Sequence, residues 1–245
     1  SAGLSAVLLL LLSTSAGCDR AAEPEPGVGE ADDEAADAAY EARWAAAVRD
    51  GAPGVPCPSG GAASRTTLRM GVDETGHPFM GGDAPDLVIE EFADYRCGDC
   101  NRAHRKVRRL LSLFPDRIRI VQRNLPMDPS CNPGVGEVRH DRACELARIS
   151  ICAARQGRFW EAHDFLLHNA DALCAQRRCA QKIARRLDLD EDAFDCCMKD
   201  PSVAGQVEGD IADATAAGIR VTPSFRIGGR IYEKAIPDEA LRALR

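Results

Sequence analysis

Hydrophobic positions along the 245-residue chain fall into three regimes. An apolar run centred on residues 7–12 gives way to residues 19–42, which hold almost no large apolar side chain. Patterned sequence starts near Thr66. Residues 67–72 alternate as a short strand, residues 81–85 carry turn chemistry, and residues 87–92 form an apolar run bounded by turn residues, as a buried strand does. Val107, Leu110, Leu111 and Phe114 then recur at helical spacing until Pro115-Asp116 stops the helix. Residues 117–123 alternate again. Strand, helix and strand in this order predict a parallel pair with a right-handed crossover.

The next 95 or so residues carry almost no strand signal. A Pro- and Gly-rich loop over residues 125–136 precedes predicted helices at 142–154, 159–167, 179–187, 192–198 and 203–217, the last stopped by Gly218. Two strands around Gly228-Gly229 follow within residues 219–232. Pro237 suits the first turn of a final helix over 238–245. The pattern is that of an α/β domain interrupted by an all-helical segment.

Charge separates the N-terminal part from the rest. Residues 19–42 hold nine acids against Arg20, so this stretch more than accounts for the net charge of −7. The remainder is close to neutral, with no basic surplus of the kind that binds nucleic acid. The acidic stretch cannot offset its ordering entropy and is expected to be a disordered linker over residues 18–65. Within it, residues 40–48 are expected as a short helix with Trp44 on its apolar side. The apolar run before it is too short for a transmembrane helix. With the small residues Ser13 to Gly17 it reads as a signal peptide over 1–17. Cys18 after Ala16-Gly17 resembles the lipidated cysteine of bacterial lipoproteins, with cleavage nearby and an incidental Cys18 as the alternative. A tether of about 30 flexible residues reaches roughly 30 Å.

Eleven cysteines favour an oxidising compartment. Cys97-Gly98-Asp99-Cys100 sits where the apolar strand meets the helix, and two chemistries use that spacing. A zinc site needs four ligands. The sequence has no second Cys-x-x-Cys, and His163 and His168 match a ligand spacing but fall on an amphipathic helix. A redox pair needs less. A cysteine at a helix N-terminus has its thiolate stabilised by free backbone N–H groups, which makes Cys97 the nucleophile and Cys100, one turn in, the resolving thiol.

With these residues in view, the chain from about Met70 to Arg245 resembles the DsbA-like thiol-disulfide oxidoreductases of the thioredoxin superfamily. The resemblance rests on Phe92-x-Asp94-Tyr95-x-Cys97-x-x-Cys100, on Asn124-Leu125-Pro126-Met127, and on Gly157-Arg158-Phe159-Trp160 and Leu187 to Asp190 in the helical segment. It rests also on Val221-Thr222-Pro223-Ser224-Phe225. It implies a thioredoxin fold over 66–124 and 219–245, with residues 125–218 as the helical insertion. It further implies a cis Pro223 facing Cys97, a Thr222 backbone that pairs with extended substrate, and a buried Glu91 that assists proton transfer at Cys100. Glu91 as a surface residue, or exchanged in role with Glu90, is the alternative. Asp94 and Tyr95 are expected to shape the loop, and His104 to lie on the helix surface.

Family oxidases carry Pro-His between the cysteines; here Gly98-Asp99 stands there. A carboxylate one turn away is expected to raise the Cys97 thiol, each pH unit being worth about 1.4 kcal/mol or about 30 mV. The expected couple therefore lies between roughly −120 and roughly −270 mV. Of the other cysteines, Cys131 with Cys144 and Cys174 with Cys179 are paired by proximity. Adjacent Cys196 and Cys197 suit separate partners, and Cys152 is compatible with a buried free thiol.

The resemblance implies no cofactor and no metal. Its implied partners are cysteine-bearing exported proteins and a quinone-linked membrane protein that reoxidises the pair, and the chain is expected as a monomer on the periplasmic side of the bacterial envelope. A reductase or isomerase kept reduced, and a non-enzymatic thioredoxin-like lipoprotein, are the competing functions.

Overall fold

In the computed structural model the described residues are 68–174 and 178–244. The expected signal, Cys18, the expected linker and short helix, and Cys57 lie outside them. Six strands form one sheet: β1 (Met70–Val72), β2 (Pro78–Gly81), β3 (Leu87–Ala93), β4 (Ile118–Asn124), β5 (Ser224–Ile227) and β6 (Arg230–Glu233), in the order β1-β2-β4-β3-β5-β6. β3 and β4 are the parallel pair, joined through helix α1 (Gly98–Leu113), and all other pairings are antiparallel. The strand–helix–strand unit is as the pattern predicts. β2 is not: its four residues are all buried, so alternation gives no signal, and Pro78 stands at its first position. Gly81 ends β2 at φ +124°, where a Cβ would stand 2.0 Å from the Ile118 carbonyl oxygen. Only glycine lets the chain approach β4 so closely.

Five helices separate β4 from β5: α2 (Ala143–Arg155), α3 (Phe159–Cys174), α4 (Cys179–Arg186), α5 (Glu191–Lys199) and α6 (Pro201–Ala216). The apolar faces of these helices bury Leu146, Ile149, Leu166, Ile183, Phe194 and Val203 in one cluster with Phe92 and Cys100 of the sheet side. Each such side chain contributes about 1.5–3 kcal/mol when removed from water. Asp200 caps α6 by accepting from Ser202 N, with Pro201 in the first turn. Gly218 at φ +76° turns the chain out of that helix, and Ile219 N bonds back to Ala214 O at 2.9 Å. The chain closes on a 3₁₀ helix over Asp238–Leu244, where the sequence pattern suggests an ordinary final helix.

Three disulfides lie in the insertion. Cys131–Cys144 ties the loop after β4 to α2, Cys174–Cys179 joins α3 to α4, and Cys152–Cys197 joins α2 to α5. Cys152 is therefore not a free thiol: α2 and α5 pack side by side and bring it to Cys197, a distant pairing that proximity in sequence does not suggest. Adjacent Cys196 is exposed and free.

Candidate active site

β3 delivers the site and α1 carries it away. Alternation along β3 sends neighbouring residues to opposite faces, which separates the two adjacent glutamates. Glu90 pairs with Arg123 at 2.9 Å and with Arg226 at 2.6 Å, and Arg226 also holds Asp213 of α6 at 2.8 Å. These cations hold Glu90 below the usual carboxylate range against the opposing effect of burial. Glu91 points the other way, is 1% exposed, and has no hydrogen-bond partner on either oxygen. Burial alone pushes its carboxyl up to about 8, so it is mostly protonated at neutral pH.

Cys97 is the N-cap of α1, with extended backbone, and its Sγ lies 3.5 Å from the Thr222 carbonyl oxygen. The Thr222–Pro223 peptide bond is cis, and the Thr222 contact sets the loop before β5 against the cysteine. Cys100, one turn later, is fully buried, with Asp94 N at 3.5 Å from its Sγ. The two thiols split apart in acidity. Hydrogen bonds from the Cys100 thiol, the Thr222 side chain and the Cys100 backbone lower Cys97 to about 6 against partial burial. Burial and the neighbouring Cys97 push Cys100 well above the ordinary thiol value, with Glu91 adding to the rise. A low outer thiol and a high inner thiol are what a nucleophile and a resolving partner require.

This corrects the expectation of a raised Cys97 thiol. Asp99 is half-buried at the first turn of α1 and pairs with Arg102, so its charge is met on the helix. The carboxylate that does oppose the Cys97 thiolate is Asp94. His104 is a second correction. It is 3% exposed rather than on the surface, because α3 packs over α1. There it joins a chain that the sequence does not announce: Tyr95 Oη to His163 Nδ1 at 3.0 Å, His163 Nε2 to His104 Nδ1 at 3.3 Å, and His104 Nε2 to Asp164 at 2.7 Å. Burial holds His163 well below the ordinary imidazole value. His168 is exposed and bonds to the Asp164 carbonyl, so the two histidines at ligand spacing face different surroundings. Among the described residues, no group of three or more His, Cys, Asp or Glu is arranged to hold a metal ion.

The loop over residues 125–142 supplies another residue that sequence pattern misses. His140 Nδ1–H donates to Asp94 Oδ2 at 2.8 Å, and the same oxygen accepts from Met127 N at 2.7 Å. The pattern Phe92-x-Asp94-Tyr95 marks one end of this contact, and nothing local marks the other.

Residues 73–244 match the family model described as thioredoxin. The chain belongs to the thioredoxin family. Among solved structures it is similar to a thioredoxin-like oxidoreductase from Silicibacter pomeroyi, at 25% identity and a TM-score of 0.55, covering 70% of this chain and 91% of that one. The thiol-disulfide exchange protein alpha-DsbA2 from Wolbachia pipientis shares the fold at 17% identity, with a TM-score of 0.53 over 68% of this chain and 83% of that one. Proteus mirabilis ScsC shares it at 15% identity and a TM-score of 0.53, over 69% and 71%. Curated relatives include the Na(+)/H(+) antiporter NhaA 3 of Salinispora tropica, 32% identical over 176 residues, and the Na(+)/H(+) antiporter NhaA of Herminiimonas arsenicoxydans, 33% identical over 163 residues. These matches cover 72% and 66% of this chain, but it spans only about a quarter of the length of those relatives. Among the described residues no helix is long and apolar enough to cross a membrane.

Proposed function

We propose that the chain is a thiol-disulfide oxidoreductase of the bacterial envelope, exchanging the Cys97–Cys100 disulfide with thiols of exported proteins. One observation carries this most directly: a Cys97 lowered to about 6 faces the Thr222 carbonyl across a cis Pro223, with a high-value Cys100 buried behind it. A substrate thiolate attacks Cys97 of the oxidised protein and forms a mixed disulfide. A second substrate thiol then displaces Cys97, and Cys100 has left as the buried thiol. In reverse, Cys97 attacks a substrate disulfide and Cys100 resolves it. Glu91, mostly protonated and within electrostatic reach of Cys100, is suited to exchange the Cys100 proton. The Thr222 backbone would pair with an extended substrate segment.

The export signal, lipid attachment at Cys18, the linker over 18–65, a monomeric state and reoxidation by a quinone-linked membrane protein belong to the same proposal. They rest on the sequence and the resemblance. Transport is not carried over from the antiporter relatives, whose name describes far longer proteins. The deciding experiment is insulin reduction and reactivation of reduced ribonuclease, with Cys97→Ser as control. Equal behaviour of wild type and variant would leave only a non-enzymatic binding role. Direction is read separately by trapping the cellular redox state of Cys97 with a thiol-alkylating mass tag: mostly oxidised supports an oxidase, mostly reduced a reductase or isomerase.

A further inference from the structure

Asp94 organises the turn between β3 and α1, and its side chain is fully buried. Its carbonyl accepts from Cys97 N at 3.1 Å, its amide faces Cys100 Sγ at 3.5 Å, and one carboxylate oxygen accepts from Arg96 N at 2.7 Å. The other oxygen reaches out of the turn to Met127 N and to His140 Nδ1, both in the loop after β4. That loop is closed by Cys131–Cys144, and His140 N bonds to Met127 O at 3.3 Å while Ala143 N bonds to His140 O at 3.1 Å. A buried carboxylate so close to both cysteines opposes negative charge on Cys97 unless something offsets it. Gly98-Asp99 brings no cation, and Asp99 is spent on Arg102.

We infer that His140 is a positioning residue for the redox pair: it shares the charge of Asp94, so that the turn can hold Cys97 as a thiolate, and the disulfide-closed loop is the arm that delivers it. The inference rests on the redox function proposed above. The charged groups acting on His140 are Asp94, Cys97 and Arg96; Asp94 raises the imidazole, the Cys97 charge raises it further, and burial and Arg96 oppose. Reduction by a substrate dithiol breaks the Cys97–Cys100 bond as two electrons enter and the substrate disulfide forms. Of the two protons released, Cys100 takes one. The imidazole of His140, where neutral, takes the other, leaving a Cys97 thiolate beside a His140–Asp94 ion pair.

The test titrates the thiolate absorbance of the reduced full chain in wild type, His140→Gln and His140→Arg, and measures the equilibrium of each with glutathione. Gln keeps a donor for Asp94 without charge, and Arg keeps the charge at every pH. The Gln variant should titrate roughly half to one pH unit higher, with a disulfide about three- to tenfold less oxidising. Arg should return both toward wild type and remove the dependence on His140 titration. A Gln variant that titrates like wild type, or an Arg variant as impaired as Gln, overturns this inference while leaving the redox function standing. A wild type whose Cys97 titrates as an ordinary thiol also overturns this inference, whereas insulin reduction no better than that of Cys97→Ser overturns the redox function on which it rests.

Discussion

Glu91→Gln is the most informative single change, because Glu91 lies buried with both oxygens unpartnered. Its carboxyl is raised from 4.5 to about 8 by burial. Between those values the folded protein holds a proton that the unfolded chain has lost, so stability falls as pH rises through the window and levels above it. At about 1.36 kcal/mol per pH unit, the wild type should lose about 3 kcal/mol relative to the Gln variant between pH 5 and pH 7.5. Gln is nearly isosteric and leaves a polar group in the same place, so near pH 5, where both side chains are neutral, the two proteins should be similar. Urea unfolding of both proteins across this pH range, with the thiols held reduced, isolates the effect, since all other titrating groups cancel in the difference. A difference that stays flat within about 0.5 kcal/mol would refute the assignment of Glu91 as an uncompensated buried acid. The same variant should slow proton transfer at Cys100 by tenfold or more, within the range of general acid–base effects, read as accumulation of mixed disulfide in single-turnover mixing.

Other consequences follow from the same geometry. Alkylation of the reduced protein should show Cys97 reacting with a midpoint near pH 6 and Cys100 remaining inert at neutral pH, and equal reactivity of the two would contradict their separate environments. Replacing Cys152 and Cys197 together by Ser and Ala opens a link across 45 residues and should cost roughly 4 kcal/mol or less in urea unfolding; no loss would mean that α2 and α5 hold their register without it. His163 is buried neutral with its value lowered, so the stability it permits is complete above the unfolded imidazole value of 6.5 and declines as pH falls below it. His163→Phe should weaken that acid sensitivity, measured by thermal unfolding between pH 4 and pH 7, although it sacrifices the Tyr95 hydrogen bond.

Local pattern was enough for most of the elements and for placing Cys97 and Cys100 at the start of α1. An apolar strand ending at Cys97-Gly98-Asp99-Cys100, a helix stopped by Pro115, and a second alternating strand define the βαβ unit without reference to the rest of the chain. Thr222-Pro223 before a Gly-Gly turn marked the facing loop by resemblance. β2 escaped because four consecutive buried residues have no period. Charge next to a cysteine in sequence proved a poor guide to charge acting on it, since Asp99 turns to Arg102 and Asp94, three residues before Cys97, turns inward.

What the sequence by itself determined, then, is whatever depends on neighbours within one helical turn or one strand: the elements, the Cys-x-x-Cys at a helix N-terminus, and the split of Glu90 from Glu91 to opposite faces. Tertiary structure decided which of those glutamates is buried without a partner, because that depends on Arg123 and Arg226 arriving from β4 and β5 on one face only. It also decided the Cys152–Cys197 bond, the burial of His104 under α3, and the contact of His140 with Asp94. Each of these joins residues tens of positions apart, and a packed insertion, rather than any local preference, brings them within bonding distance.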